Sequence, residues 1–447
     1  MLRKSMILFL AAGAVQAVFG NAVIAQTGQL VSVQTNGDEV VQPAPLPQVD
    51  SSSPETTAPP ITTYYESESM SGWGMFKESL GARGIQYKGD ATSYYQGVAS
   101  GGLEQHFRYG MHTDHVVNFD LGTMAGLTGT FFKVRFEGQF GDFINGDTGA
   151  LLASNTSGLL PVPGEDQVAI TNLLLTQMVS ERAGFYFGKL DTMDGDENAY
   201  AHGRGKSQFM NTSFVATPIA FRTTPYSTWG AGFIVLGEEG TPALNIAVID
   251  PRDYATEFNL DEIYSEGITL SAELRKATNF LGQKGHQLIG GIWSSRDTVL
   301  LADAPLLLLP FNVPTQEDQS WALYWNFDQQ LVSSLENPER GWGVFGRAAL
   351  ADPETNPIDY FLSFGIGGDS SLRPCKNDTF GIGWYYSSTS PDLPNRILGD
   401  AGQGYEVFYN FEISKCVHLT TDFQVIDPSR VGIDNAIVTG LRLNFDF

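Results

Sequence analysis

The most regular alternation of apolar and polar residues occupies the last twelve positions of the chain, 436–447. With one exception the odd-numbered positions are apolar, and the row ends on Phe447. The opposite row carries Arg442, Asn444 and Asp446, because successive side chains of a strand point to opposite faces. Such a pattern is typical of a barrel with a wet interior and a lipid-facing outside. For this strand alone, the edge of a soluble β domain is an equal alternative.

Residues 130–140 show the same alternation with stronger contrast. Phe132 and Phe136 lie in one row, and Arg135 and Glu137 lie in the other. Charges of both signs on one strand face would make a poor soluble core, but they suit the wall of a water-filled lumen. Similar alternation recurs at 268–275, 405–413 and 417–425.

Segments of this kind predict an all-β fold, a 16-stranded antiparallel transmembrane β-barrel preceded by a short helix. Sixteen is an even number within the range of single-chain outer-membrane barrels. The predicted strands are 85–99, 108–121, 129–142, 168–180, 183–191, 228–237, 243–250, 266–276, 285–295, 319–331, 341–351, 357–367, 378–387, 404–414, 417–426 and 435–447.

The connections between these segments alternate in length, as a barrel requires if its last strand descends to the periplasm. Long outside loops are expected at 143–167, 192–227, 296–318 and 388–403. Short inside turns are expected near 181–182, 238–242, 332–340 and 415–416. A soluble sandwich has no reason to separate connection lengths in this way. The connection 352–356 is short for an outside loop.

The chain before the barrel divides into three segments. Residues 1–25 have a basic start, an apolar run and a small-residue cleavage site, which predicts a secretory signal peptide. Residues 26–69 are rich in Pro, Ser and Thr and are expected to form a disordered linker. Residues 70–84 predict a short amphipathic helix, and 85–447 the barrel. We therefore expect export to the outer membrane of a Gram-negative-type bacterium.

Composition narrows the possible functions. The formal charge of −24 argues against binding nucleic acid, whose phosphates would repel the chain. Forty-nine glycines, 29 phenylalanines and 17 tyrosines favour a β-rich protein with aromatic belts. No catalytic or cofactor motif appears, so we expect neither an enzyme nor a cofactor. His112 and His115 are predicted on opposite strand faces, so no metal site is expected.

What remains as a candidate site is the lumen. Arginine and carboxylate groups hydrogen-bond the paired hydroxyls of sugars, which makes inward-facing charged residues candidates for substrate binding. An alternative for each is a cross-lumen ion pair that only stiffens the wall. The candidates are Arg108, Arg135, Glu137, Lys189, Asp191, Glu273, Arg275 and Arg347.

The longest connection, 192–227, is the candidate constriction of the lumen. Its charged residues are Asp194, Asp196, Glu197, His202, Arg204 and Lys206. A loop of this length is either a lid over a pore or a disordered excursion. We favour infolding into the lumen.

Several short motifs, taken in order, resemble the carbohydrate-selective porin (OprB) family over roughly residues 72–447. They are Trp73-Gly-Met-Phe with Leu80-Gly-Ala-Arg-Gly-Ile85, Phe187-Gly-Lys-Leu-Asp191, Phe209-Met-Asn-Thr-Ser-Phe214, Gly341-Trp-Gly-Val-Phe-Gly-Arg347, Asn356-Pro-Ile-Asp359, Gly365-Ile-Gly-Gly368, Asp378-Thr-Phe-Gly-Ile-Gly383, Tyr405-Glu-Val-Phe-Tyr-Asn-Phe411 and Val425-Ile-Asp-Pro428. The resemblance implies facilitated diffusion of mono- or small oligosaccharides through a pore narrowed by inward loops and lined by arginine and acidic residues. Lys189, Asp191 and Arg347 are the candidates that lie within these motifs.

Two other functions are kept as alternatives: a general or ion-selective porin, and a barrel acting mainly as an adhesin or structural protein. Expected partners are sugar solutes, outer-membrane lipid and the barrel-assembly machinery, which would read the C-terminal strand ending in Phe447. The sequence does not name the sugar, and it leaves open a monomer or a homo-oligomer.

The two cysteines generate a first prediction. Cys375 and Cys416 are expected in turns at the periplasmic ends of two strands that are neighbours in the barrel, within the separation that a disulfide requires, roughly 4.4–6.8 Å between Cα atoms. We expect a disulfide there, because the periplasm is oxidising. Mass spectrometry of non-reduced peptides checks this, and two free thiols recovered from native membranes would contradict it.

Overall fold

The alternating segments of the sequence form strands that close into a barrel. The computed structural model describes residues 72–447 except 165, 239, 304–314, 335–336, 338–339, 374–376 and 394–398. Within that part of the chain, sixteen antiparallel strands make up the barrel. They are β1 (Ile85–Ser100), β2 (Phe107–Asp120), β3 (Thr130–Gly141), β4 (Gln167–Met178), β5 (Ala183–Asp191), β6 (Ser227–Leu236), β7 (Pro242–Ile249), β8 (Thr269–Phe280), β9 (Gln283–Ser294), β12 (Ser320–Ser333), β13 (Gly341–Ala351), β14 (Ile358–Asp369), β15 (Thr379–Thr389), β16 (Ala401–Ser414), β17 (Val417–Ile426) and β18 (Ala436–Asp446).

Each barrel strand pairs with its neighbours in sequence, and β1 pairs with β18 to close the sheet. A small separate sheet of β10 (Thr298–Val299) and β11 (Gln316–Glu317) lies in the connection between β9 and β12. The described α-helices are short: α1 (Gly72–Gly81), α2 (Leu121–Ala125) and α3 (Thr212–Val215). None of them is long and apolar enough to cross a membrane.

The two faces of β3 are divided as its alternation predicts. Lys133, Arg135 and Glu137 are buried inside the barrel, whereas Phe136 is 38% exposed on its outer face. The lumen therefore receives the charged row, and the outside carries the apolar row. This is the arrangement of a barrel surrounded by lipid.

The connections are longer at one end of the barrel than at the other, as expected, although 101–106 and 352–357 at the longer end have only six residues each. One end of the barrel, which we call the turn end, has the connections 121–129, 179–182, 237–241, 281–282, 334–340, 370–378 and 415–416. The other end, the loop end, has 101–106, 142–166, 192–226, 250–268, 295–319, 352–357, 390–400 and 427–435. Short turns are periplasmic and longer loops extracellular in barrels of this type, which orients the chain.

The connection between β5 and β6, residues 192–226, folds into the lumen, as favoured from the sequence. We call it the infolded loop. Its Phe209 and Phe214 are completely buried. The Phe209 ring lies edge-on to Phe345 of β13 and Phe408 of β16, with ring centroids 5.2 and 4.9 Å apart. The interior thus contains an apolar core, and its aromatic side chains fix the loop against the far wall of the barrel.

Glycines on the inner face of β15 make room for these rings. A Cβ atom on Gly381 would lie 2.6 Å from the Phe209 ring, and one on Gly383 would lie 2.5 Å from the Phe214 ring. Any other residue at either position would push the ring away. The glycines of this strand are therefore explained by the close approach of the infolded loop.

Several expectations concern residues outside the described part of the chain. The signal peptide 1–25 and the linker 26–69 lie there, and so does Cys375. Cys416 lies in the short turn between β16 and β17 and is half-buried. The disulfide between the two cysteines therefore stays a prediction.

The division into faces generates a second prediction. Ile382 lies on the outer face of β15 and is 46% exposed, and Thr379 on the same strand lines an internal cavity. We expect Ile382→Lys to impair insertion, because a lysine on the lipid face costs about 2–4 kcal/mol near the membrane centre. Thr379→Lys should insert normally, since its ammonium reaches water. Heat-modifiable mobility on gels measures the folded fraction, and equal folded fractions would contradict this assignment of faces.

Candidate functional site

The infolded loop is held across the lumen by a buried arginine of the opposite wall. The Arg347 guanidinium donates from Nε to Asp196 at 2.9 Å, and to the carbonyl oxygens of Phe214 and Ala201 at 2.7 and 2.9 Å. The planar fork of arginine suits several acceptors at once. One side chain from β13 thereby fixes three positions of the loop.

Two further strand residues hold the middle of the infolded loop. Glu406 of β16 accepts from the backbone N–H groups of residues 210 and 211, at 2.6 and 2.9 Å. Arg442 of β18 donates to the carbonyl oxygens of Gly205 and Gln208, at 2.8 and 2.7 Å. Because these bonds satisfy backbone groups, they fix the path of the loop whatever its side chains are.

On the side of the barrel opposite Arg347, which we call the near wall, charged residues of the strands and of the infolded loop form one cluster. Arg135 contacts three carboxylates, those of Asp114 at 3.1 Å and of Asp191 and Asp194 at 2.7 Å. Arg204 of the infolded loop reaches Asp191 and Asp194 at 2.7 and 2.8 Å. Two arginines therefore share the same pair of carboxylates.

The cluster continues through Glu137. It accepts from Thr171 at 2.5 Å and from Arg204 at 3.3 Å, and it also accepts the hydroxyl hydrogen of Tyr226. Lys133, on the same face of β3, contacts Asp194. We use the name ion cluster for a set of nine charged residues. They are Asp90, Asp114, Lys133, Arg135, Glu137, Asp191, Asp194, Arg204 and Lys206.

Lys206 lies where the ion cluster meets open space. Its ammonium donates to Asp90 at 2.5 Å and to Asp114 at 2.9 Å. Burial lowers the pKa of Lys206, but the two aspartates outweigh burial and raise it above its ordinary value. Burial likewise raises the pKa of Asp194, but Arg135 and Lys133 outweigh it, so that the pKa falls well below its ordinary value. Both loop residues are therefore charged at neutral pH.

An internal cavity of about 360 Å³ opens beside the ion cluster, between the infolded loop and the turn end. Strands and loop both contribute to its wall. Its lining residues are Lys88, Gly89, Asp90, Asp114, Val116, Arg135, His202, Gly203, Arg204, Lys206, Ser207, Gln208, Asn377, Thr379, Asn410, His418, Asn444 and Asp446.

A second group of predicted residues lies elsewhere on the wall. Glu273 accepts from the Asp196 backbone N–H at 2.9 Å and from the Tyr324 hydroxyl at 2.7 Å. Arg275, on the same face of β8, pairs with Glu197. Both residues therefore contact the start of the infolded loop, and Glu273 shares Asp196 with Arg347.

Comparison with known families decides what kind of barrel this is. The family model of the carbohydrate-selective porins, OprB family, matches residues 104–447. The chain belongs to this family. It is therefore an outer-membrane carbohydrate porin, a channel in which sugar solutes cross the barrel.

Solved structures agree on the fold of the porin. The high-pH structure of Pseudomonas putida OprB matches with a TM-score of 0.73 at 17% identity, covering 84% of this chain and 97% of that one. The low-pH structure of the same protein matches with a TM-score of 0.53 at 15% identity, covering 85% of this chain and 98% of that one. A search of curated proteins found no match.

Lys189 of the porin was expected in the lumen, and this expectation is wrong. It shares the outer face of β5 with Phe187, which is 56% exposed. Its ammonium donates to the carbonyl oxygens of Ala255 and Glu257 at 3.2 and 3.1 Å, and it lies 4.4 Å from the Phe258 ring centroid. The connection between β7 and β8 folds over the outside of the barrel there, and it buries the lysine without bringing it near the ion cluster.

Arg108 lies at the loop end, apart from the ion cluster. It donates two hydrogen bonds to Asp147 at 2.5 and 2.8 Å. Glu104, His106 and Asp147 have ligand atoms within 4.8 Å of one another, a spacing that a metal ion could use. Arg108 already pairs with the Asp147 carboxylate, however, so we interpret this group as an ion-pair network at the loop end of the barrel.

The two histidines predicted on opposite faces of β2 do lie on opposite faces. His112 is buried inside, 3.5 Å from Glu137. The His115 ring lies on the outside, where its Nδ1 bonds the Tyr87 hydroxyl at 2.8 Å. They share no site.

Sequence reasoning missed several members of the site. Asp114, Lys133, Glu406 and Arg442 were left out of the candidate set, although each lies on the inward row of its strand. That parity was the available signal. What the sequence lacks is the position of the infolded loop, which selects these residues from all the other inward ones.

The hydrogen bonds from Arg347 to the infolded loop generate a third prediction. We expect Arg347→Ala to raise single-channel conductance and to lower stability by about 3–5 kcal/mol, because removing one partner of a buried ion pair leaves the other uncompensated. Arg296→Ala is the matched control, since Arg296 forms an exposed pair with Glu266 at 2.7 Å. Planar-bilayer recordings and thermal unfolding measure both effects, and unchanged conductance in Arg347→Ala would show that the loop is held without it.

Proposed function

We propose that small sugars cross this porin beside the infolded loop and that the ion cluster is their selective contact. The observation that carries the proposal is the cavity of about 360 Å³, whose wall includes Asp90, Asp114, Arg135, Arg204 and Lys206 of the cluster. Its volume falls within the range of small-molecule sites, roughly 300–1,000 Å³. Solutes entering from either end would meet the same charged residues.

The chemistry of the cluster favours a neutral polyol. Arg135, Arg204 and Lys206 present donors to the cavity, and Asp90 and Asp114 present acceptors. A sugar hydroxyl donates and accepts, so it can use both. Because each cation is already paired with a carboxylate, the wall has little unbalanced charge to attract or repel ions. This pairing favours sugar selection over the ion-selective alternative.

The residues that the sequence predicts to bind sugar fall into groups with different proposed roles. Arg135 lines the cavity and is proposed as a contact on the solute path. Glu137 and Asp191 are buried behind it and are proposed to position Arg135 and Arg204. Glu273, Arg275 and Arg347 are proposed to act through the infolded loop, which they hold in place. Arg108 is proposed to act at the loop-end mouth.

The C-terminal strand supports a proposed role in assembly. Phe447 is 43% exposed on the outer side of the barrel, at the turn end. We propose that β18 and this terminal residue are read by the barrel-assembly machinery during insertion.

The proposed contacts generate a fourth prediction. We expect Arg135→Ala and Arg204→Ala each to weaken sugar block of ionic current by about tenfold, because a hydrogen bond to a charged group contributes roughly 1.5–3 kcal/mol. Arg182→Ala removes the same charge from an exposed turn and should leave the block unchanged. Current in planar bilayers is titrated with glucose and a disaccharide.

Two outcomes would contradict the proposal. Sugar block that persists unchanged in Arg135→Ala, Arg204→Ala and the double variant would remove the ion cluster from the path. A wild-type current that no sugar reduces, together with strong cation over anion preference, would favour an ion-selective channel instead.

A further inference from the structure

The helix before the barrel packs against the outer wall and lies outside the lumen. The Trp73 ring of α1 meets the Tyr87 ring edge-on, with centroids 5.9 Å apart. Tyr87 belongs to the outer row of β1, and its hydroxyl bonds the outward His115 at 2.8 Å. Lumen residues such as Asp90 and Asp114 lie on the opposite face of these strands. The helix therefore lies beside the turn end of the barrel, on its outer surface.

The apolar side of α1 is left uncovered by the described part of the chain. Trp73 and Phe76, which share this side, are 45% and 50% exposed, and no residue of the helix is buried. The Trp73 and Phe76 rings stack on each other with centroids 5.6 Å apart. Apolar area of this kind on a short helix is costly in water and marks a contact with something else.

The barrel itself indicates what covers this surface. The exposed rings of α1 continue an aromatic row on the outer wall, in which His115 stacks on Phe447 with centroids 6.2 Å apart. Phe445 and Phe447 are 40% and 43% exposed on the same side. Aromatic girdles of outer-membrane barrels lie at the level of the lipid headgroups. The uncovered face of α1 is therefore continuous with the surface that meets lipid.

We propose that α1 lies in the headgroup region of the periplasmic leaflet, with Trp73 and Phe76 in contact with phospholipid. Its ten residues form a helix about 15 Å long, too short to span and suited to lying flat. Glu78 lies on the opposite side of the helix from Phe76 and faces water. The helix thus adds an apolar anchor to the turn end, beside the seam where β1 closes on β18. This role is independent of which solute crosses the lumen.

Tryptophan quenching by brominated phospholipid tests the proposal. The full-length porin is reconstituted in vesicles whose phospholipid carries bromine at a shallow or a deep acyl position, and Trp73→Phe is compared with the wild type. The difference isolates one of the seven tryptophans. We expect the Trp73 component to be quenched more strongly by shallow than by deep bromine. Trp325, 40% exposed on β12, serves as a reference from the middle of the barrel wall and should be quenched more by deep bromine.

A pair of charge variants provides a second measurement. Phe76→Glu places a carboxylate on the apolar face, whereas Gly74→Glu places one on the opposite face, about 160° away around the helix. Trypsin cleavage after Lys77 or Arg83 in vesicles should accelerate at least about tenfold in Phe76→Glu, because its helix leaves the membrane, and it should not change in Gly74→Glu. Conductance in both variants should match the wild type, since α1 does not line the lumen.

Two results would overturn the proposal. A Trp73 component that neither bromine position quenches would place α1 in water or against another protein. Equal cleavage rates in Phe76→Glu, Gly74→Glu and the wild type would show that lipid contact at Phe76 does not hold the helix.

Discussion

A buried charge inside this barrel has to be compensated by an opposite charge or by hydrogen bonds, and the path of the infolded loop depends on that requirement. Arg347 and Asp196 meet inside the barrel although they are 151 residues apart in sequence. Alone, either group would be expensive to keep away from water. Together they hold the start of the loop against β13. The loop in turn places Arg204 and Lys206 among the carboxylates of the near wall.

The same pairing explains how a strongly acidic chain can have a lumen suited to neutral solutes. In the ion cluster Arg135 is surrounded by Asp114, Asp191 and Asp194, so positive and negative groups alternate over short distances. Fields from such pairs cancel a few ångströms away, whereas a sugar in contact still meets individual donors and acceptors. If the cluster contacts the solute as proposed, stability and selectivity use the same residues, and substitutions there are expected to affect both.

The outer surface of the barrel is determined by contact with lipid rather than by ion pairing. Apolar and aromatic side chains face lipid along the strands, and α1 extends this surface at the turn end. Lys189 is the instructive exception, because a charged residue sits on that face. It is accommodated by the carbonyl oxygens of Ala255 and Glu257, which the β7–β8 connection brings over the outside of the barrel. A loop can thus shield a charge from lipid as well as narrow a pore.

Much of this architecture could be read from the sequence. A period-two alternation of apolar and polar residues determines which face of a strand is inward, so the sixteen strands and the inward positions of Arg135 and Glu137 were predictable. The alternation of long and short connections determined which end carries the loops. The length and charge of residues 192–227 indicated an infolded segment. Each of these depends on local pattern alone.

Which side chains meet in the lumen was decided only by the tertiary structure. Glu406 became a loop anchor because residues 210 and 211 pass beside it, and nothing near Glu406 in sequence records that passage. Lys189 and Asp191 have the same parity as the outward Phe187, yet Lys189 stays outside whereas Asp191 turns inward at the end of β5 to meet Arg135. The sequence by itself determined the faces of the strands, since side-chain direction is a local property of an extended backbone. The folded chain decided the site, because pairing between buried charges depends on which distant segments share one enclosed space.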